Sequence, residues 1–249
     1  FHCAALARVQ PSILNPIKYE INNTLGIMNM LKCSVDMEVR RFVYSASSSA
    51  YGSTKKLPSK ESDKPNPISP YANQKYYGEL CCKMFSKVYN IETVSLRYFN
   101  VYGERQNLGG AYATVVGIFL NQLIKKNLLT INGDGNQRRD FTYVGDVVSA
   151  NILAAEANIT FNGECYNIAC GDRVTNKEIL NYLINITPGR VIVNDAPWRE
   201  GDVMHTQADV FKAKKDFGYE PLVQFWDGLE KTREWWGPRI VNIDKPEDK

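Results

Sequence analysis

The pair Tyr71 and Lys75 is the first feature of the sequence whose residue types and spacing could do chemistry. Ser69 and Pro70 precede it as a helix N-cap and a first-turn proline, which predicts a helix in which residues four apart share a face. An ammonium group beside a phenol favours the phenolate, and the positive helix N-terminus acts in the same direction. We therefore expect a lowered pKa at Tyr71, which would make it a general base.

A second pair with the same spacing, Tyr51 and Lys55, is predicted to be structural. Gly52 follows Tyr51 at a turn, where no helix would align the two side chains. The context therefore favours Tyr71 as the reactive tyrosine.

A serine-rich turn at residues 45–49 supports this interpretation. It follows a short apolar segment that is typical of a buried strand, so its hydroxyls would lie at a strand end. A hydroxyl there could hydrogen-bond a substrate oxygen opposite the tyrosine. The alternative is a turn whose serines bond their own backbone.

The elements that must position these residues alternate between strand and helix. Strand-like segments at residues 1–5, 41–45 and 93–98 are separated by helical segments that begin at Pro16 and near residue 69. The apolar face of the first helix is expected to pack on a sheet and consists of Ile17, Ile21, Leu25, Met28 and Leu31. This alternation predicts an α/β fold with a doubly wound parallel sheet, in which ligands bind at the carboxyl ends of the strands.

Beyond Gly103 the pattern indicates a second, smaller α+β unit. The predicted limits are 1–102 for the first domain and 103–240 for the second, with segments at about 140–170 returning to the first. Residues 241–249 are expected to form a tail.

Composition excludes several classes of protein. The chain has 249 residues, with 30 basic and 27 acidic side chains and a net charge of +3, so we expect neither a nucleic-acid partner nor a membrane partner. Its apolar runs are shorter than a membrane span. Six cysteines and two histidines show no metal-ligand spacing, so no metal is expected. A reduced, cytoplasmic protein is predicted.

Five motifs occur in order along residues 1–237. They are His2-Cys3-Ala4-Ala5, Tyr71-Ala72-Asn73-Gln74-Lys75, Arg97-Tyr98-Phe99-Asn100-Val101-Tyr102-Gly103, Gly133-Asp134-Gly135 with Arg139-Asp140-Phe141, and Arg199-Glu200-Gly201-Asp202. Together they resemble the extended short-chain dehydrogenase/reductase family, and within it the nucleotide-sugar 4-epimerases.

The resemblance implies an NAD cofactor, a UDP-sugar substrate and a homodimer. It implies that Tyr71 is the base, that Lys75 binds the nicotinamide ribose and that Ser47 holds the sugar O4. The other residues it assigns to NAD are Ala4, Ala5, Asn22, Ser45 and Tyr98. Those it assigns to the substrate are Ser49, Asn100, Asn132, Arg139, Arg199, Asp202 and Thr206.

The sequence departs from the family at its start. The family carries a glycine-rich phosphate loop and a ribose-binding acid in its first strand-helix-strand unit, and neither is found here. The resemblance therefore implies a partial Rossmann-type sheet, with about 60–75 residues and the N-terminal half of that domain missing upstream of Phe1.

Within the family, three alternatives are weighed. Related dehydratases carry an Asp-Glu pair at the position where this chain has Ser48-Ser49, and the absence of that acid here disfavours dehydration. UDP-glucuronate epimerases have a motif similar to Phe-Thr-Val-Tyr-Gly where this chain has residues 99–103, and here the second position is Asn100. A non-catalytic binding protein of the same fold would have no need of Ser47, Tyr71 and Lys75 together.

Thr206 bears on the choice of sugar. It resembles the position that gates the sugar C2 substituent, where a small residue leaves room for an acetamido group and a tyrosine does not. Residues 109–113 also resemble the loop of acetamido-sugar enzymes. The alternative is that Thr206 caps a helix through its hydroxyl.

Overall fold

The computed structural model describes residues 1–54, 56–108, 114–126, 128–198 and 202–241. Its helices are α1 (Val9–Leu14), α2 (Pro16–Glu20), α3 (Gly26–Asp36), α4 (Pro70–Tyr89), α5 (Val115–Lys126), α6 (Val144–Glu156), α7 (Asn176–Ile186), α8 (Phe211–Phe217) and α9 (Phe225–Val241). A π turn (Ile21–Leu25) joins α2 to α3. Its strands are β1 (Arg41–Ser47), β2 (Glu92–Tyr98), β3 (Val101–Tyr102), β4 (Leu128–Asn132), β5 (Arg138–Arg139), β6 (Thr142–Tyr143), β7 (Asn162–Ile168), β8 (Val174–Thr175) and β9 (Ile192–Ala196).

A parallel sheet in the order β1-β2-β7 forms the centre of the first part of the chain. His2 continues it on the other side of β1 through a parallel bridge to Tyr44. Because the strands are parallel, their carboxyl ends lie at one edge, where Ser47 is paired with Tyr98. The serine turn therefore lies at the edge of the sheet where ligands are expected.

Helices cover both faces of this sheet. Side chains alternate along a strand, and in β1 Phe42, Tyr44 and Ala46 pack against α3 and α4. Val43 faces the other way, into the cluster that contains Val147 of α6. The predicted α/β fold class is confirmed, whereas a missing N-terminal half stays a prediction.

The first half of the helical segment after Pro16 turns a different face to the sheet from the one predicted. Ile17, Ile21 and Leu25 are 73%, 59% and 55% exposed, whereas Tyr19, Asn23 and Ile27 are buried. In the second half Leu31 is buried as predicted, and Met28 packs partly buried against the same core. In a regular α-helix, residues four apart differ by about 40° in their direction around the helix axis. The π turn is wider than an α-helical turn and changes this angle. A uniform helical period therefore could not identify the buried face.

Helix α4 is fixed to the sheet at both ends. At its start the Ser69 Oγ accepts from the Ala72 N–H at 3.2 Å, which confirms the predicted cap. Farther along, Arg97 of β2 forms a buried bidentate ion pair with Glu79, with N···O distances of 2.8 and 2.6 Å. These contacts hold the face with Tyr71 and Lys75 over the carboxyl end of β1.

The second part of the chain is built around the parallel pair β4–β9 and helices α5, α7 and α9. Its core contains Phe119, Leu129, Phe141, Leu183 and Phe225. Strand β7 pairs with β2 rather than with this unit. The predicted domain limits stay a prediction.

The short strands β5 and β6 lie on either side of Asp140, and α6 begins at Val144. No helix in the described part of the chain combines the length and the apolar character needed to cross a membrane.

Candidate active site

A cavity of about 930 Å³ lies at the carboxyl ends of β1 and β2, between the two parts of the chain. Its volume is in the range of small-molecule sites. At one end it is lined by the predicted residues Ser47, Ser49, Tyr71 and Tyr98. At the other it is lined by the predicted residues Asn100, Asn132, Arg139, Asp202 and Thr206. The fold thus brings together residues that are far apart in sequence.

Ser47 makes the turn hydrogen bonds that the sequence allowed, and its role toward a substrate stays a prediction. Its Oγ accepts from the Ser49 N–H at 3.2 Å and from the Ser49 hydroxyl at 2.9 Å, so it caps the turn Ser48–Tyr51. It also hydrogen-bonds the phenol of Tyr71. Since two hydrogen bonds are accepted from Ser49, the Ser47 hydroxyl proton remains to be donated to the Tyr71 oxygen.

The pKa of Tyr71 is raised in the free protein, contrary to the expectation from the sequence. Burial of the phenol raises it, while the hydrogen bond from Ser47 and the positive charge of Arg8 lower it. Lys75 is not the cation that acts on this phenol, because its ammonium is turned toward β1. The helical spacing was right, but two side chains on one face need not point at each other.

Lys75 is almost fully buried, with 5% of its surface exposed. Its Nζ donates to the Ser45 carbonyl at 2.7 Å and lies 5.1 Å from the ring centroid of Tyr44. Burial lowers the pKa of Lys75 to about 8, and the nearby thiol of Cys3 opposes that shift. The ammonium therefore lies at the carboxyl end of β1, beside the base.

Arg8 is a cavity residue that the sequence analysis missed. Its backbone has φ of +85°, a conformation rare outside glycine, and such strain clusters at functional sites. The preceding residue is held by a 2.6 Å hydrogen bond from the Tyr19 hydroxyl to the Ala7 carbonyl. The only signal in the sequence was that this arginine lies six residues after His2, in the segment that follows the predicted strand at residues 1–5.

Asn22 is not brought to the site. Its side chain is exposed and donates to the Lys18 carbonyl at 2.8 Å. The neighbouring Asn23 is buried instead, and its amide accepts from the Leu6 N–H at 2.8 Å and donates to the Leu6 carbonyl at 2.9 Å. It also donates to Gln74 of α4 at 3.1 Å, so Asn23 ties the segment after His2 to the helix that carries Tyr71.

Five other predicted residues do not line the cavity or lie outside the described chain. Ala4 and Ala5 follow the His2 bridge but do not line the cavity, nor do Ser45 and Lys75 line it. Arg199 lies outside the described residues, as does the segment 109–113. Asn132 is present at the cavity wall, where its side chain donates to the Pro197 carbonyl at 3.1 Å.

Thr206 does not cap a helix. Its hydroxyl accepts from the Asp140 N–H at 3.1 Å and from the Asn100 amide at 3.2 Å, and α8 begins only at Phe211. The capping alternative is therefore wrong. Thr206 is a small residue on the cavity wall, and its hydroxyl oxygen already accepts the two hydrogen bonds from Asp140 and Asn100.

Burial lowers the pKa of the Arg139 guanidinium, and the charge of the neighbouring Asp202 opposes that shift. One guanidinium nitrogen donates to the Met204 carbonyl at 3.0 Å. A guanidinium on a cavity wall can bind phosphate oxygens in a bidentate manner.

Tyr51 is structural, as predicted. Its hydroxyl donates to the Asn167 side chain at 2.7 Å, and the Arg97 guanidinium lies 4.6 Å from its ring centroid. Its predicted partner Lys55 lies outside the described residues.

The donor set around Lys75 fits a nicotinamide ribose. The ammonium has three N–H donors and gives one to Ser45, and no other hydrogen bond of this group occurs among the described residues. Two donors therefore remain for ribose hydroxyls. Ser45 and Tyr98, which hydrogen-bond each other at 3.2 Å, lie beside this position.

Comparison with known proteins decides the family. Residues 1–169 match the family described as NAD dependent epimerase/dehydratase. The chain belongs to this family. Its members' dependence on NAD agrees with the donor set around Lys75.

Individual relatives span most of the chain. The structure of UDP-glucose 4-epimerase from Thermotoga maritima with UDP-glucose is 36% identical, with a TM-score of 0.89 over 96% of this chain and 77% of that one. UDP-N-acetylglucosamine 4-epimerase from Methanobrevibacter ruminantium M1, in complex with UDP-N-acetylmuramic acid, is 32% identical, with a TM-score of 0.89 over 96% and 76%. UDP-glucuronate 4-epimerase of Thermodesulfobacterium geofontis is 31% identical over 94% of this chain and 71% of its own length.

The comparisons confirm the predicted family and, with it, an NAD-dependent epimerase. The sugar named differs among these three relatives, so the family alone does not select a substrate. A glycine-rich loop upstream of Phe1 stays a prediction.

Proposed function

We propose that this epimerase interconverts UDP-N-acetylglucosamine and UDP-N-acetylgalactosamine at C4, through a 4-keto sugar. The observation that carries the proposal is one cavity with a tyrosine base and its serine partner at one end and the small residue Thr206 at the other. The relative from Methanobrevibacter ruminantium, named for UDP-N-acetylglucosamine, supports the choice of sugar.

The residues of the cavity divide the reaction among them. When bound, NAD supplies the hydride acceptor and donor for the sugar C4. Tyr71 accepts the proton of the 4-hydroxyl as that carbon is oxidised and returns it when the other face of the 4-keto sugar is reduced. Ser47 orients the same oxygen, Lys75 holds the ribose of the cofactor, and Arg8 stabilises the phenolate through its positive charge.

UDP-glucuronate is the second candidate substrate. The guanidinium of Arg8 lies near Tyr71 on the cavity wall and could bind a sugar carboxylate. The relative from Thermodesulfobacterium geofontis is named for that substrate. Thr206 favours the acetamido sugar, because it leaves volume beside the sugar ring.

A product assay tests the choice. Purified full-length protein with NAD is incubated separately with UDP-N-acetylglucosamine, UDP-glucose and UDP-glucuronate, and the 4-epimers are separated by anion-exchange chromatography. We expect UDP-N-acetylgalactosamine to form, with or without conversion of UDP-glucose. Turnover of UDP-glucuronate alone would select the second candidate, and no turnover of any of the three would support a binding protein.

Arg139 is proposed to bind the diphosphate. Replacing Arg139 with alanine removes a charge-assisted contact worth about 1.5–3 kcal/mol, so the affinity for UDP should fall about tenfold to a hundredfold. Isothermal titration calorimetry measures it. Arg138→Ala is the matched control, because that neighbouring side chain is exposed and does not line the cavity. Equal UDP affinity in Arg139→Ala and the parent protein would place the diphosphate elsewhere.

We also infer a homodimer through helix α4 and the segment that ends in α3. Tyr77, Leu80, Met84 and Val88 form an exposed apolar stripe along α4, next to the exposed face that contains Ile21. A second copy would cover both.

The cytoplasmic location stays a prediction.

Replacing Met84 with glutamate places a charge in that stripe and should convert the dimer to a monomer, as measured by sedimentation velocity. Val148→Glu is the control, because Val148 is an equally exposed apolar residue on α6. A monomeric parent protein, or a dimer that survives Met84→Glu, would contradict this interface.

A further inference from the structure

The carboxylate of Asp140 is fully buried and accepts from backbone N–H groups of two separate segments. Oδ1 accepts from Cys170 at 3.0 Å and from Gly171 at 3.1 Å, while Oδ2 accepts from Gly171 at 3.1 Å and from Ala208 at 3.0 Å. Burial raises the pKa of Asp140 to about 7, and these N–H donors oppose that shift. The loop after β7 and the segment before α8 are thus joined through one side chain.

The backbone of the same residue holds two cavity residues. The Asp140 N–H donates to the Thr206 hydroxyl at 3.1 Å, and its carbonyl accepts from the Asn100 amide at 2.8 Å. The Asn100 amide in turn donates to Thr206 at 3.2 Å. Asp140 is therefore the common partner of both side chains, although it does not line the cavity itself.

The segment 202–208 depends on this arrangement for its position beside Arg139. It has no regular helix or extended strand, only isolated bridges to Arg138 and Ser59. Backbone bonds link Arg138 N–H to the Met204 carbonyl at 2.9 Å and Thr206 N–H to the Arg138 carbonyl at 3.0 Å. The Asp140 carboxylate adds a hydrogen bond from the Ala208 N–H, at the end of this segment, to these backbone bonds and to those that join Ser59 to Gln207 and Asp209.

We propose that Asp140 is a positioning residue for the sugar nucleotide: its carboxylate fixes residues 202–208 against Arg139 and thereby sets the affinity of the cavity for the nucleoside-diphosphate part of the substrate. The inference rests on the proposed function, because it assigns that part of the substrate to the Arg139 end. Among the described residues Asp140 makes no hydrogen bond to Tyr71, so the larger effect is expected on binding of the sugar nucleotide rather than on proton transfer.

The test is Asp140→Asn, which preserves size but turns an NH₂ group toward backbone N–H donors, so one of the two segments loses its acceptor. We expect the Kd for UDP-glucose by calorimetry to rise about tenfold to a hundredfold, and kcat at saturating UDP-N-acetylglucosamine to stay within about threefold. Hydrogen exchange should rise at residues 202–208 and 170–171 and stay unchanged in β1 and β2. Asp172→Asn is the control, since it removes an exposed neighbouring charge and leaves the four hydrogen bonds intact.

The outcomes separate this inference from the function on which it rests. A parent protein that neither binds nor converts UDP-N-acetylglucosamine overturns the proposed function and the inference together. A parent that binds UDP-glucose while Asp140→Asn binds it equally well overturns the inference alone. Exchange that rises throughout the sheet also overturns it, because Asp140 would then support the whole fold rather than one segment.

Discussion

Tyr71→Phe is expected to lower kcat by about two to four orders of magnitude while the Kd for UDP-sugar stays nearly unchanged. The substitution removes only the phenolic oxygen, to which the proposed mechanism assigns proton exchange with the sugar 4-hydroxyl. The aromatic ring keeps its packing, and the backbone N–H of Tyr71 keeps its 3.1 Å hydrogen bond to Ser12. Steady-state rates and calorimetry on the full-length protein measure the two quantities.

Tyr89→Phe is the matched control for this prediction. Tyr89 lies on the same helix but is exposed and does not line the cavity. Removal of its hydroxyl should leave kcat unchanged. A Tyr71→Phe variant with near-normal turnover would show that another group is the base.

Thr206→Tyr is expected to abolish conversion of UDP-N-acetylglucosamine and to spare that of UDP-glucose. A tyrosine on the cavity wall would fill the space that the acetamido group requires, whereas the smaller sugar does not need that space. The measurement is kcat/KM for each substrate, with the ratio of the two values as the readout.

The structure supplies a control that separates volume from hydrogen bonding. Thr206→Val removes the hydroxyl that accepts from Asp140 and Asn100 but adds no bulk. Its effect should be similar for both substrates, since it loosens the segment without narrowing the cavity. Thr206→Tyr acting equally on both substrates would remove the argument for an acetamido sugar.

Part of this site could be predicted from sequence because it depends on local rules. Ser69 and Pro70 are sufficient to begin α4, and a helix begun there must place Tyr71 and Lys75 on one face. The order of strand and helix segments likewise predicts a parallel sheet, and hence the edge where the serine turn lies. These inferences require only residues within a few positions of each other.

The rest depended on how distant segments pack. Local periodicity assigned Ile17 and Ile21 to the core, but the π turn presents Tyr19 and Asn23 instead. The family resemblance assigned Asn22 to the site, whereas the structure places Asn23 in the buried network. A shift of one residue along the helix changes which side chain faces the core. Only the packing of the helix against the rest of the protein determines which residue that is.

The charges around Tyr71 show the same contrast between what local sequence predicts and what packing decides. The sequence by itself determined that a lysine lies one turn from Tyr71 and that a serine-rich turn follows a neighbouring strand. The tertiary structure decided that Lys75 turns to the Ser45 carbonyl, that Arg8 supplies the nearby positive charge, and that Asp140 joins three segments behind the cavity. The physical reason is that Arg8 and Asp140 act across contacts between segments distant in sequence, and no local spacing in the chain specifies such contacts.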